Sequence, residues 1–214
     1  DGFTIEGAQH VIDAFDRGVG PILALPRVGG WEWAAKWLST ERGWSVSAVA
    51  EQLEPPELYE WFLDLRAGLG MNIVALGPSA GSESAKALAS GHIMCLLCDR
   101  DIAGTGIEVE FFGERTTMPG GPALLALRSD SPLLPTAVYF RGERCHGVIG
   151  APLDTERRGR LRDDVARVTQ DLAYSLEALI RVAPEQWHLL QPNWPSDIAA
   201  LAEGDPALAA ATAS

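Results

Sequence analysis

The feature that most limits what this chain can fold into is a set of apolar runs too short to be helices. Residues 21–26 read PILALP and residues 93–98 read IMCLLC. Runs of this length without polar alternation are strands buried on both faces, and such strands belong to parallel sheets covered by helices. Between them lie longer amphipathic stretches. Residues 4–18 put Ile5, Ala8, Val11, Ile12 and Phe15 on one helical face. Residues 31–38 read as a helix entered through Gly29 and Gly30, and residues 57–69 as a helix closed by Gly70. Residues 81–90, with Ser79 or Ser82 as cap, residues 119–128, with Pro119 in the first turn, and residues 157–181 complete the helices. Strands are expected at 44–49, 72–76, 107–112, 133–140 and 145–150. The rhythm predicts an α/β single domain over residues 1–196, with a mostly parallel central sheet flanked by helices. An Ala-rich tail, 197–214, is expected to fray.

The 214 residues suffice for one domain with a sizeable core. A formal net charge of −12 argues against nonspecific nucleic-acid binding and against whole-molecule attraction to anionic lipid. Membrane contact then needs a local patch. Arg157, Arg158, Arg160, Arg162 and Arg167 form the strong basic cluster, read as a solvated helix start or a lipid-headgroup contact. Three cysteines give no disulfide framework and fit a reducing compartment. Cys95-x-x-Cys98 lies inside an apolar run with no second pair at ligand spacing, so no metal site is expected. Residues 77–81 (GPSAG) lack the ending of a phosphate loop, and Ser82 and Ser84 lack a nucleophile elbow. There is no leader-like start and no apolar stretch of about 18 residues, so a soluble or peripheral protein on the cytosolic side is expected.

The chemistry concentrates in residues 25–33 (LPRVGGWEW). A strand ends, Gly29 and Gly30 turn the chain, and a helix begins. Such a turn lies at the carboxyl edge of the sheet, where open α/β folds bind ligands, and its amides and helix start can face an anion. On residues alone, Arg27 and Glu32 read most simply as a surface pair. Three further segments stand out: 98–102 (CDRDI) with 108–122 (EVEFFGERTTMPGGP), 65–71 (LRAGLGM), and 184–194 (PEQWHLLQPNW).

In this order, these segments resemble the lysophospholipid-type acyltransferase superfamily, and within it the actinobacterial phosphatidylinositol mannoside acyltransferase branch. The resemblance covers most of residues 20–195 and implies a glycerolipid-acyltransferase-like fold. That superfamily carries H-x4-D or H-x4-E at a strand-to-helix turn, its histidine taking the acceptor hydroxyl's proton and its carboxylate orienting the ring. Here Arg27 stands at the histidine's position and Glu32 at the carboxylate's. A guanidinium has no acceptor nitrogen, so Arg27 cannot serve as that base. In the mannoside branch an acid from the second block also supports the histidine, and Asp99, Asp101, Glu108 and Glu110 are the candidates. Asp101 also reads as a turn residue before Gly104, and the alternating glutamates as a solvent face.

The resemblance further implies substrate contacts at Arg66, Gly29, Gly30, Phe112, Gly113, Glu114, Thr116, Thr117 and Gly120. It implies transfer of a long fatty acyl group from acyl-CoA to a mannose hydroxyl of a phosphatidylinositol mannoside, impaired by Arg27. The alternative is a non-catalytic homologue that binds acyl-CoA or glycolipid. Acyl-CoA is a co-substrate and no cofactor is expected. The implied partners are acyl-CoA, the mannoside lipid and, peripherally, the cytoplasmic face of the cell membrane, with no nucleic acid. The family's N-terminal helical region, which would lie upstream of residue 1, is expected to be absent.

Overall fold

A computed structural model of the chain describes residues 2–51 and 55–204. The chain runs β1 (Phe3–Glu6), α1 (Ala8–Asp16), β2 (Ile22–Leu25), α2 (Trp31–Thr40), β3 (Val46–Ala50), α3 (Pro56–Gly68) and β4 (Met71–Ala75). It continues through α4 (Ala80–Ala89), β5 (Ile93–Leu97), a hairpin of β6 (Ile107–Phe111) and β7 (Glu114–Met118), and α5 (Gly121–Arg128). Then come β8 (Leu133–Arg141), β9 (Arg144–Ile149), the long α6 (Leu161–Val182), a 3-10 turn (Pro184–Gln186) and α7 (Pro195–Gly204).

Seven strands form one sheet in the order β1-β9-β8-β2-β5-β3-β4. Its neighbours pair in parallel except β8 with β9, which pair antiparallel. The α/β domain with a mostly parallel sheet therefore stands as expected. The central strand β2 shows why its sequence carries no alternation. Ile22 and Ala24 enter a core with Leu88 of α4, Ala123 of α5 and Leu172 of α6. Leu23 and Leu25 enter a second core with Val11 of α1 and Leu38 of α2. Both faces are apolar because both are covered.

Residues 4–18 are not one helix. Gly7, at φ 75°, separates β1 from α1, and a Cβ there would lie 1.9 Å from the Ile149 carbonyl oxygen. The helical face is real in α1, but Thr4 to Glu6 pair in parallel with His146 to Val148 of β9. The strand expected at 107–112 ends at Phe111, Phe112 and Gly113 turn the chain at positive φ, and residues 114–118, for which no element was expected, form β7.

Helix α6 begins at Leu161, four residues later than its basic lead-in suggests, because Asp164 gathers that lead-in. Asp164 Oδ2 accepts from Arg157 Nε at 2.9 Å and its carboxylate also receives the N–H groups of Arg158 and Gly159. Arg158 pairs with Asp154, and Arg167 donates to the carbonyls of Asp154 and Glu156. Three of the five basic side chains are thereby tied to their own loop. Of the tail, residues 195–204 are helical, and residues 205–214 lie outside the described residues. No helix among the described residues is long and apolar enough to cross a membrane.

Candidate functional site

Strands β2 and β5 are neighbours, so the residues just past their carboxyl ends meet. Arg27 follows β2 and Asp99 follows β5. The Arg27 backbone N–H donates to Asp99 Oδ2 at 2.8 Å, and its Nη1 donates to Oδ1 at 2.5 Å. Asp99 has no exposed surface. A third donor, the Trp187 indole N–H, reaches the same Oδ2 at 2.8 Å. A buried carboxylate carries a large desolvation cost, and a cation with two neutral donors offsets it.

Trp187 is delivered by the segment after α6. Val28 and Trp187 form an antiparallel bridge, the His188 N–H donates to the Arg27 carbonyl at 2.8 Å, and the Gly29 N–H donates to the Gln186 carbonyl at 3.0 Å. Asn193 Nδ2 donates to the Asp99 carbonyl at 3.3 Å. The turn itself demands glycine: Gly29 has φ 58°, and a Cβ there would stand 2.0 Å from the Val138 carbonyl oxygen.

Arg27 lines a cavity of about 670 Å³ between the carboxyl ends of β3 and β5 and helices α4 and α5. Leu96, Leu97, Val49, Ala85, Leu124 and Leu125 give it apolar walls. Its polar lining includes Arg66, Arg100, Asp101 and Arg128. Arg66 lies over the rings of Trp31 and Phe62, with its guanidinium carbon 5.5 and 5.3 Å from their centroids, and stands 3.6 Å from Glu32 Oε1.

The structure thus gathers Arg27, Asp99, Arg66 and Asp101 at one place. Glu32 joins through Arg66, and among the described residues Arg27 pairs with Asp99 and not with Glu32. Of the four acids beyond Glu32, Asp99 alone touches Arg27. Asp101 lines the cavity and holds its own turn, accepting from the N–H groups of Gly104 and Gly106 at 3.0 and 2.7 Å. Glu108 pairs with Arg115 across the hairpin in solvent, and Glu110 is exposed, its backbone bonded to the Gln170 side chain.

The hairpin residues lie elsewhere. Phe112 donates its N–H to Glu177 at 2.7 Å and packs its ring on Phe111 and Trp187, under Arg181. Gly113 completes the turn. Glu114 accepts from the backbone and hydroxyl of Ser196, the Thr116 hydroxyl donates to the Asn193 carbonyl, and Thr117 faces Glu108 in the ladder. Gly120 packs on Ile107 and Val165, while Pro119 and Gly121 beside it line the cavity. Gly30 sits between Phe140 and Trp33, and the Gly29 N–H is already taken.

Trp187 and Asn193 went unread in the sequence. The 184–194 segment drew attention to His188, which is exposed and reaches Arg27 through its backbone. The readable signal was a pair of tryptophans, whose indole N–H groups need partners when buried. Cys95 and Cys98 are both buried, and burial alone pushes the Cys95 thiol up to about 12. Cys98 is raised by burial and then by the neighbouring Asp99 charge. Among the described residues no three His, Cys, Asp or Glu side chains gather to hold a metal.

Residues 1–196 match the family described as bacterial lipid A biosynthesis acyltransferase. Curated proteins from two strains of Mycobacterium tuberculosis, both named phosphatidylinositol mannoside acyltransferase, are 38% identical over 201 residues, covering 91% of this chain and 61% of theirs. A protein of the same name from Mycolicibacterium smegmatis is 37% identical over 196 residues, covering 89% of this chain and 62% of its own. The chain spans about three-fifths of the length of these relatives. With the family match running through every element that builds the site, the chain belongs to the bacterial lipid A biosynthesis acyltransferase family.

Proposed function

We propose that the chain is an acyltransferase domain that takes a long fatty acyl group from acyl-CoA to a mannose hydroxyl of a phosphatidylinositol mannoside, and that Arg27 holds its turnover low. The observation that carries the reading is the apolar cavity with Arg27 and Arg66 in its lining. Its volume of about 670 Å³ lies within the roughly 300–1,000 Å³ of ligand pockets. Aliphatic walls suit an acyl chain, and two guanidiniums suit the thioester oxygen and the phosphates of the donor. The relatives' name supplies the acceptor.

In the reaction, the sugar hydroxyl oxygen attacks the thioester carbonyl, the hydroxyl proton leaves to a base, and coenzyme A departs as the thiol. Arg27 can stabilise the oxyanion but cannot take the proton. Asp99 already accepts three hydrogen bonds. That same satisfied pair favours a second reading, in which the domain binds acyl-CoA or glycolipid without turnover.

Labelled palmitoyl-CoA and phosphatidylinositol mannoside, incubated with the chain and with Arg27→His, separate the two. A general base contributes about 10²–10⁴-fold, so Arg27→His is expected to raise transfer by about 10²-fold or more. Donor binding with no transfer by either protein favours the second reading. No binding of palmitoyl-CoA removes both.

A further inference from the structure

Three buried side chains of α6 are polar: Asp164, Thr169 and Glu177. Asp164 gathers the loop before the helix, and the Thr169 hydroxyl donates back to the Val165 carbonyl at 2.7 Å. Glu177 reaches across to another element instead. It shares the apolar face of α6 with Ala173, Leu176 and Ile180 and is 6% exposed. Its two carboxylate oxygens have separate partners. Oε1 accepts the Phe112 N–H at 2.7 Å, and Oε2 accepts from Arg181 Nη2 at 2.7 Å. A carboxylate at a core position carries a desolvation cost, and here it stands although Phe111 and Glu114 already close the hairpin ladder.

The turn that Glu177 holds is made of ill-suited residues. A two-residue hairpin turn with positive φ at both positions favours asparagine and glycine. Gly113, at φ 81°, fits. Phe112, at φ 56°, is the only non-glycine residue with positive φ among those described. A bulky side chain is strained there, and the conformation persists where the surroundings enforce it. Glu177 binds the Phe112 backbone and also Arg181, whose guanidinium carbon lies 4.9 Å from the Phe112 ring centroid. The other neighbour of that ring is Trp187, with centroids 5.5 Å apart.

The bridge to Val28 fixes the Trp187 backbone, but the indole must also be turned so that its N–H meets Asp99 Oδ2. Phe111, Phe112 and Trp194 surround the indole. Phe111 belongs to β6, and Trp194 is anchored by its own bond to the Phe111 carbonyl. Phe112 alone depends on a strained turn. We propose that Glu177 is a positioning residue of the site: by holding Phe112 in the left-handed conformation, it keeps the Trp187 indole on Asp99 and Asp99 on the side chain at position 27. The inference rests on the reading of position 27 as the catalytic one.

The indole N–H resonance of Trp187 in isotope-labelled protein, assigned by its loss in Trp187→Phe, reports the contact directly. Glu177→Ala is expected to shift it and to speed its exchange with water about tenfold or more, as a local opening does. Tyr139→Phe removes the bond from Tyr139 to the Leu179 carbonyl, so it loosens α6 without touching the turn, and the resonance is expected to stay in place. Glu177→Gln keeps an acceptor for the Phe112 N–H and is expected to restore most of the protection. Phe112→Asn separates the role from stability. Asparagine suits the turn, so the hairpin keeps its fold, but without the ring the indole is expected to exchange as it does in Glu177→Ala. In the Arg27→His protein, Glu177→Ala is expected to lower kcat about tenfold or more while KM for palmitoyl-CoA holds, since neither Glu177 nor the hairpin turn lines the cavity. Adding Phe112→Asn to Glu177→Ala is expected to cost no more than either alone, because both act through one ring. An indole resonance that ignores Glu177→Ala, or that moves equally in Tyr139→Phe, overturns the proposal. So does an unchanged kcat in the Arg27→His protein, or losses that multiply in the double variant. Absence of transfer by Arg27→His itself overturns the acyl-transfer reading and leaves the indole resonance to decide the role of Glu177.

Discussion

Asp99 holds Arg27 at both ends of the residue, accepting the backbone N–H at 2.8 Å and the guanidinium at 2.5 Å. The partner of position 27 thus comes from the adjacent strand, 72 residues away, and not from the next helix turn. Glu32 is engaged instead by Arg66. Asp99→Ala strands a guanidinium that is mostly buried and leaves the Trp187 indole without its acceptor. With the Arg27 side chain 20% exposed, water repays part of the loss, so the expected cost is about 2–3 kcal/mol. The urea midpoint measures it. The same substitution placed on Arg27→His is expected to remove most of the acyl transfer that histidine restores, because the ring then lacks its orienting acceptor.

Trp187→Phe isolates one hydrogen bond. The ring still fills the cluster with Phe111, Phe112 and Trp194, but nothing donates to Asp99 Oδ2 from that side. A bond to a charged group is worth about 1.5–3 kcal/mol, and the thermal midpoint is expected to fall accordingly. Trp187→Leu loses both packing and bond, and its larger drop measures the packing share.

The sequence shows the layers of this fold because the central strands β2 and β5 are apolar throughout and helices such as α1 and α2 turn one apolar face to the sheet. Ile22 to Leu25 and Ile93 to Leu97 are legible as doubly buried strands from composition alone. β1 is not, because its alternating residues Phe3 to Glu6 merge with the helical period of α1, and only the fit of Gly7 against Ile149 separates them. At the site, the Arg27 turn and Arg66 are visible as local patterns. The Arg27–Asp99–Trp187 contact is not, since it joins three distant segments and depends on which strands are neighbours. Among Asp99, Asp101, Glu108 and Glu110 nothing local distinguishes the acid that meets Arg27. Burial does, and burial is a property of the packed sheet.

Arg66 is held between Trp31 and Phe62 and lines the cavity, so it is placed before any ligand arrives. Such placement lowers the cost of fixing a long side chain on binding. Arg66→Gln is expected to weaken palmitoyl-CoA binding about tenfold or more by titration calorimetry, while free palmitate, lacking the phosphates, loses less. Equal losses for the two ligands contradict a phosphate role.

Asp164 sets the acid side of the stability profile. Its burial works against the charge, but the hydrogen bond from Arg157 and the N–H groups of Arg158 and Gly159 prevail and hold the carboxyl below its ordinary value of 3.8. A group whose folded pKa is depressed stabilises in its ionised form. Its contribution is therefore complete above pH 3.8 and is lost as the pH falls from there through the folded value. In Asp164→Asn that contribution is absent throughout. The gap between the two proteins in urea midpoint is expected to be constant near neutrality and to close as the pH drops below 3.8. A gap that widens in acid contradicts the assignment.

The cavity itself is tested by filling it. Ala85 lies on α4, lines the cavity and is exposed within the fold, so a larger side chain there has room that a packed core does not give. Ala85→Trp adds an indole to a wall made of Leu124, Leu125 and Leu97 and takes up volume that an acyl chain needs. Overpacking of a true core costs about 1–3 kcal/mol, whereas filling an apolar void buries more surface at little strain. The thermal midpoint of Ala85→Trp is therefore expected to hold or rise while palmitoyl-CoA binding falls about tenfold or more. A short-chain donor such as acetyl-CoA, which leaves the far wall empty, is expected to lose little. If the long and short donors weaken alike, the acyl chain does not lie in this cavity.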